Sequence, residues 1–136
     1  MIFKKNKADR NYKVISVKTF AWDRVMNRKR KYRRVFDRHE INYLSVALEF
    51  YNKLFDEEDW KTEVTSKAFL MNGDKREKEL CSETREFDVP MDRNSLLFDY
   101  GWGNDEYGKF WHEGDYLREV LIDGEPVGEA KFRIEE

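Results

Sequence analysis

At 136 residues with one cysteine and a formal net charge of −2, the chain has the length of one ordinary domain and excludes an internal disulfide framework or a cysteine-cluster zinc site. Charged residues and hydrophobic residues each make up 40%, and aromatics 15%, which argues against disorder and gives a thin core bulky filling. No run of about 18 apolar residues offers a membrane helix, and the opening MIFKKNKADRNYK lacks the apolar stretch of a secretion signal, so a cytoplasmic protein is expected.

The charge is two-sided. Residues 1–38 hold 14 Lys/Arg against 3 Asp/Glu, whereas the rest holds 12 against 25. The first predicted strand, Tyr12–Phe20, lies inside this basic third. It is followed by Arg24–Arg38, RVMNRKRKYRRVFDR, with eight basic residues. Clustered Lys/Arg is the minimal footprint of phosphate binding, and it is also what a solvated loop facing an acidic surface of the same domain looks like. The candidate contacts for a partner are Arg28, Lys29, Arg30, Lys31, Arg33 and Arg34. A second strand is predicted over Tyr32–Phe36.

The third segment, Ile41–Tyr51, fits two templates. Leu44, Val46, Leu48 and Phe50 alternate with Tyr43, Ser45, Ala47 and Glu49, as in a strand with one face inward. Ile41, Leu44, Leu48, Tyr51 and Phe55 also fall at the spacing of a helix face. The strand is preferred because its neighbours are strands and its alternation is complete.

Further strands are predicted over Trp60–Met71, Glu77–Val89, Leu96–Gly101, Tyr116–Ile122 and Val127–Ile134. They are separated by Asn72-Gly73-Asp74, by Pro90-Met91-Asp92-Arg93-Asn94 and by Asp123-Gly124. Asp-Gly between two β-type runs is a strong hairpin signal because both positions tolerate positive φ. Pro126 begins the last strand, where a missing N–H is tolerated. Repeats, low-complexity tracts and linkers are absent. The expectation is one all-β domain over residues 1–136, an antiparallel Ig-like β-sandwich of seven to eight strands ending in a β-hairpin, with a basic N-terminal arm or loop within residues 1–38.

Reactive chemistry is sparse. Gly101, Gly103 and Gly108 do not form a P-loop, because the Lys-Ser/Thr that surrounds a phosphate is missing and carboxylates follow instead. His39 and His112 do not begin a metal-ligand spacing, and Cys81 reads as a small strand side chain rather than half of a thiol dyad. Carboxylates are abundant without the defined pair in a cleft that glycoside hydrolysis uses. No catalytic residue, cofactor or metal is assigned. Trp102, Tyr107, Phe110 and Trp111 have the composition of a sugar-stacking platform, but rings capping one end of a sandwich core are the preferred reading.

The order of short motifs resembles the β-sandwich accessory domains found in bacterial (Bacteroidetes) proteins beside AAA+ ATPase modules of the SpoVK/CbbX-like type. The motifs are Tyr32–Phe36, Tyr43–Leu48, Gly101-Trp102-Gly103, Trp111-His112-Glu113-Gly114-Asp115-Tyr116, Asp123-Gly124 and Phe132-Arg133-Ile134, and together they span most of the chain. The resemblance implies a non-catalytic Ig-like module for protein interaction or regulation, whose partner is a protein or a neighbouring ATPase domain. ATP binding does not carry over, since the chain has no Walker motif. Two alternatives stay open: a nucleic-acid-binding module acting through residues 24–38, and a carbohydrate-binding sandwich acting through the Trp102/Trp111 loop. No membrane partner and no small-molecule substrate are expected.

Overall fold

The computed structural model describes residues 10–21 and 32–136. Eight strands follow in chain order: β1 (Tyr12–Ala21), β2 (Val35–Asp37), β3 (Tyr43–Asn52), β4 (Trp60–Asn72), β5 (Lys75–Val89), β6 (Ser95–Gly103), β7 (Gly114–Ile122) and β8 (Glu125–Glu135). A single 3-10 turn, Arg38–Glu40, separates β2 from β3, capped where the Asp37 carboxylate accepts from the His39 N–H at 2.9 Å. The strands form a three-stranded sheet, β1-β3-β6, and a five-stranded sheet, β2-β8-β7-β4-β5. The result is the expected all-β sandwich.

The ambiguous third segment is a strand. Along β3, Leu44, Val46, Leu48 and Phe50 are buried, whereas Tyr51 and Phe55, which a helix face would have needed inside, are exposed. The other face is not wet as its alternation suggested: Ser45 and Ala47 are buried as well, in a strand that is central in its sheet, with β1 on one side and β6 on the other.

One expectation needs adjusting. The pairing is antiparallel except between β2 and β8, which run parallel over Val35–Asp37 and Arg133–Glu135. The predicted strand Tyr32–Phe36 divides between two sheets: Tyr32 bridges Phe20 of β1, the Arg33 N–H donates to the Thr19 carbonyl at 3.0 Å, and the Arg133 N–H donates back to the Arg34 carbonyl at 2.8 Å. A segment crossing from one layer to the other cannot hold a single ladder. Residues 32–37 therefore stitch the two sheets together along one edge.

The turns follow the sequence chemistry. Asp123 (φ 50°) and Gly124 (φ 79°) join β7 to β8, and Gly73 (φ 62°) joins β4 to β5.

Two apolar clusters fill the space between the sheets. Tyr12, Val46, Leu48, Phe50, Val64, Val89, Phe98, Tyr100, Val120 and Ile122 make one. The other gathers Phe36, Ile41, Leu44, Ala68, Cys81, Trp111, Tyr116, Phe132 and Ile134. On β7, Arg118 faces inward between Tyr116 of the second cluster and Val120 of the first. The Tyr116 hydroxyl donates to the His112 carbonyl at 2.6 Å, the tyrosine corner of Ig-like sandwiches. Two residues on, where antibody domains place a disulfide cysteine, this chain has Arg118.

Candidate functional site

The stitched edge leaves a concavity. Gly128 of β8 lies so close to β1 that a Cβ there would meet Val17 Cγ2 at 2.6 Å. Next to it a groove of about 490 Å³ opens between Val17–Thr19 of β1, the Tyr32–Arg34 crossover and Glu129–Lys131 of β8. Four cations line it, Lys18, Arg33, Arg34 and Lys131, against one carboxylate, Glu129. A second depression, of about 290 Å³, shares Arg34 and Lys131 with the groove and adds Arg133 with its partner Asp115. The basic lining therefore continues along β8.

Secondary structure explains why these side chains point outward. Lys131 and Arg133 alternate on β8 with the buried Phe132 and Ile134, so both must face solvent. Tyr32 is 42% exposed, its ring held edge-on against the buried Phe20 with centroids 5.8 Å apart. The Lys18 ammonium stands 5.2 Å from the same ring centroid.

Among the described residues few of these charges are spent on ion pairs. Lys18, Arg33 and Arg34 have no ion pair among the described residues; Lys131 approaches only the fully exposed Asp74, at 3.9 Å. Arg133 donates from Nε to Asp115 at 2.9 Å, and that hydrogen bond raises its pKa. Of the six contacts read from the sequence, Arg33 and Arg34 are brought to the groove. Arg28, Lys29, Arg30 and Lys31 lie outside the described residues. Lys18 and Lys131 escaped the sequence reading because each is a lone cation in an alternating strand, and only the approach of β1 to β8 joins them to Arg33 and Arg34.

The aromatic loop has another role. Trp111 is 1% exposed, its indole N–H donates to the Trp102 carbonyl at 2.9 Å, and its ring packs edge-on against Tyr116 at 5.3 Å and Phe132 at 5.6 Å. Trp102 and Phe110 are half-buried against the same cluster, and only Tyr107, at 47%, is well exposed. Three of the four rings pack into or against the second cluster, and Tyr107 stands outside it. They close one end of the core, and the Trp111 ring is unavailable for stacking on a sugar.

The loop itself is fastened to the 3-10 turn, where Arg38 Nε donates to the Gly108 carbonyl at 2.8 Å and the Gly108 N–H donates to the Ile41 carbonyl at 2.9 Å. The remaining reactive candidates are dispersed. Cys81 is buried, and burial pushes its thiol pKa up, against a smaller opposing effect of Arg118. His39 and His112 are exposed, and among the described residues no three His, Cys, Asp or Glu side chains converge on a point that would hold a metal ion. Among the described residues no helix is long and apolar enough to cross a membrane.

No known protein family and no curated protein matches the chain. Solved structures do share its fold. A region of the Pseudomonas fluorescens alkylpurine DNA glycosylase AlkC, bound to DNA containing an abasic site analog, superposes with a TM-score of 0.56 at 11% identity. That match takes in 93% of this chain and 31% of the glycosylase. A region of a Paenibacillus cycloisomaltooligosaccharide glucanotransferase, complexed with cycloisomaltoheptaose, superposes with a TM-score of 0.60 at 10% identity. There the match takes in 90% of this chain and 14% of the enzyme. At these identities the likeness defines the class, a β-sandwich domain. The chain spans a third or less of either protein.

Proposed function

We propose that this chain is a non-catalytic interaction module that docks an anionic partner surface in the groove between β1 and β8. The observation that carries this reading is the groove itself, where Lys18, Arg33, Arg34 and Lys131 face one carboxylate and three of the four cations have no ion pair among the described residues. Clustered, uncompensated charge costs self-repulsion, which an oppositely charged partner relieves. The nucleophile and base candidates fit a binding role better than a reaction, since Cys81 is buried with its thiol held protonated and the two histidines stand apart on the surface.

The fold matches agree with an accessory role, because both lie within much longer proteins, one a DNA glycosylase and one a glucanotransferase. Work alongside an AAA+ ATPase, which the motif order implies, belongs to the same proposal.

The test is a titration of the protein into fluorescein-labelled poly-L-glutamate, read by anisotropy at low salt. The parent is expected to bind and to lose that binding as salt is added. The double charge reversal Lys18→Glu/Arg34→Glu is expected to weaken binding at least tenfold while the thermal midpoint stays within a few degrees, since both side chains are at the surface. Equal binding by the parent and the reversed variant removes the groove as the docking site.

A further inference from the structure

We infer that the anionic occupant of this groove is a single strand of nucleic acid, its phosphates held by Lys18, Arg33, Arg34 and Lys131 and one base resting against Tyr32. The inference rests on the docking reading above and specifies its partner.

Three observations favour this ligand over an acidic peptide or a duplex. The first is the pairing of cations with an exposed ring. A carboxylate-rich peptide makes use of the charges and leaves Tyr32 idle, whereas sequence-tolerant binding of single strands combines a basic track with aromatic platforms for bases. Tyr32 suits that task because its edge-on seat against Phe20 fixes the ring before any ligand arrives, so little side-chain freedom is lost on binding.

The second is continuity. Arg34 and Lys131 line both depressions, so the basic surface runs from Lys18 past the crossover and down β8 to Arg133 instead of ending in a closed pocket. Lys131 and Arg133 stand on one face of β8, two residues or roughly 6.6 Å apart.

The third is shape. A space of about 490 Å³ between two β-strands takes one chain. A duplex is read by a helix or ribbon that enters its groove, and among the described residues no helix protrudes from the sandwich.

The experiment compares three fluorescein-labelled probes at matched length and low salt by anisotropy: a thymidine 20-mer, a 20-base-pair duplex and poly-L-glutamate. The 20-mer is expected to bind tightest. Its log affinity is expected to fall with log salt at a slope of about −3, as four neutralised phosphates on a single strand require. Lys18→Glu/Arg34→Glu is expected to weaken it at least tenfold and to flatten the slope. Tyr32→Ala is expected to weaken it roughly tenfold through lost stacking, with the slope unchanged and the fold verified by its thermal midpoint.

Binding of poly-L-glutamate without binding of the 20-mer overturns the nucleic-acid inference and leaves the docking reading standing. Binding of neither probe overturns both. A duplex bound as tightly as the 20-mer overturns the single-strand preference, and a Tyr32→Ala variant indistinguishable from the parent overturns the base contact.

Discussion

Arg118 Nη2 donates to Ser66 Oγ at 2.9 Å in the middle of the sandwich. Arg118 is 1% exposed and its Nη2 also reaches the Tyr100 carbonyl at 3.2 Å, but Nε and Nη1 meet no hydrogen-bond acceptor. Burial lowers the guanidinium pKa, and only Cys81 and Glu83 oppose that effect. Among the described residues no carboxylate is hydrogen-bonded to it. A buried cation lacking a bonded counter-charge costs more than its two hydrogen bonds return.

Arg118→Met, which keeps an unbranched apolar stem and removes the charge, is therefore expected to raise stability by roughly 1–2 kcal/mol. The reading is a higher urea midpoint at pH 7 with an unchanged slope. A lower midpoint would show that the Ser66 and Tyr100 bonds outweigh desolvation.

Tyr100 gives the alkaline edge of stability. Its hydroxyl donates from β6 to the Val64 carbonyl on β4, across the two sheets, at 2.8 Å. Burial pushes its pKa from 10.0 up to about 12, with Arg85 opposing and Glu83 adding. The folded state thus favours the protonated phenol, so this contribution is complete below pH 10 and is lost as pH rises from 10 to about 12. Tyr12 and Tyr116 are also raised, chiefly by burial, and act in the same direction. Urea midpoints measured at intervals from pH 9 to 12 are expected to fall across that window. Tyr100→Phe should make the fall shallower and cost about 1 kcal/mol at neutral pH, because the Val64 carbonyl loses its donor.

Glycines at two positions should fail for different reasons. A Cβ at Gly103 would lie 1.9 Å from the Asn42 carbonyl oxygen, so Gly103→Ala forces backbone movement between β3 and β6 and should cost about 3 kcal/mol. At Gly73 nothing lies within 4 Å, but φ is +62°, so Gly73→Ala should cost only about 1 kcal/mol, through the backbone alone. Thermal unfolding of both variants checks the order, and a smaller loss at Gly103 than at Gly73 would refute the close-approach argument.

Strands were legible because alternation and turn chemistry are local. The Asp123-Gly124 hairpin needs only its own φ values, and the Leu44–Phe50 alternation needs only one buried face. The groove was half legible: Arg33 and Arg34 belong to a visible run of charge, but Lys18 and Lys131 are 113 positions apart and meet only through topology. Arg118 was missed because a single arginine in an alternating strand looks like a solvent-facing residue. Its inward position follows from the register with Ala68 of β4, which no local pattern reveals. The Trp102–Trp111 rings read as caps of the core in preference to a sugar platform, and Trp111 is indeed buried beside the His112–Tyr116 corner.

The crossover at residues 32–37 has a mechanical meaning. Because Tyr32 and Arg33 are bonded to β1 while Val35–Asp37 pair with β8, neither sheet can shed this edge without loosening the other. The two layers are thereby coupled into one cooperative unit. A ligand spanning Lys18, Arg34 and Lys131 would clamp both layers together with the strap between them, so that occupancy of a surface groove would be felt as resistance of the whole domain to melting.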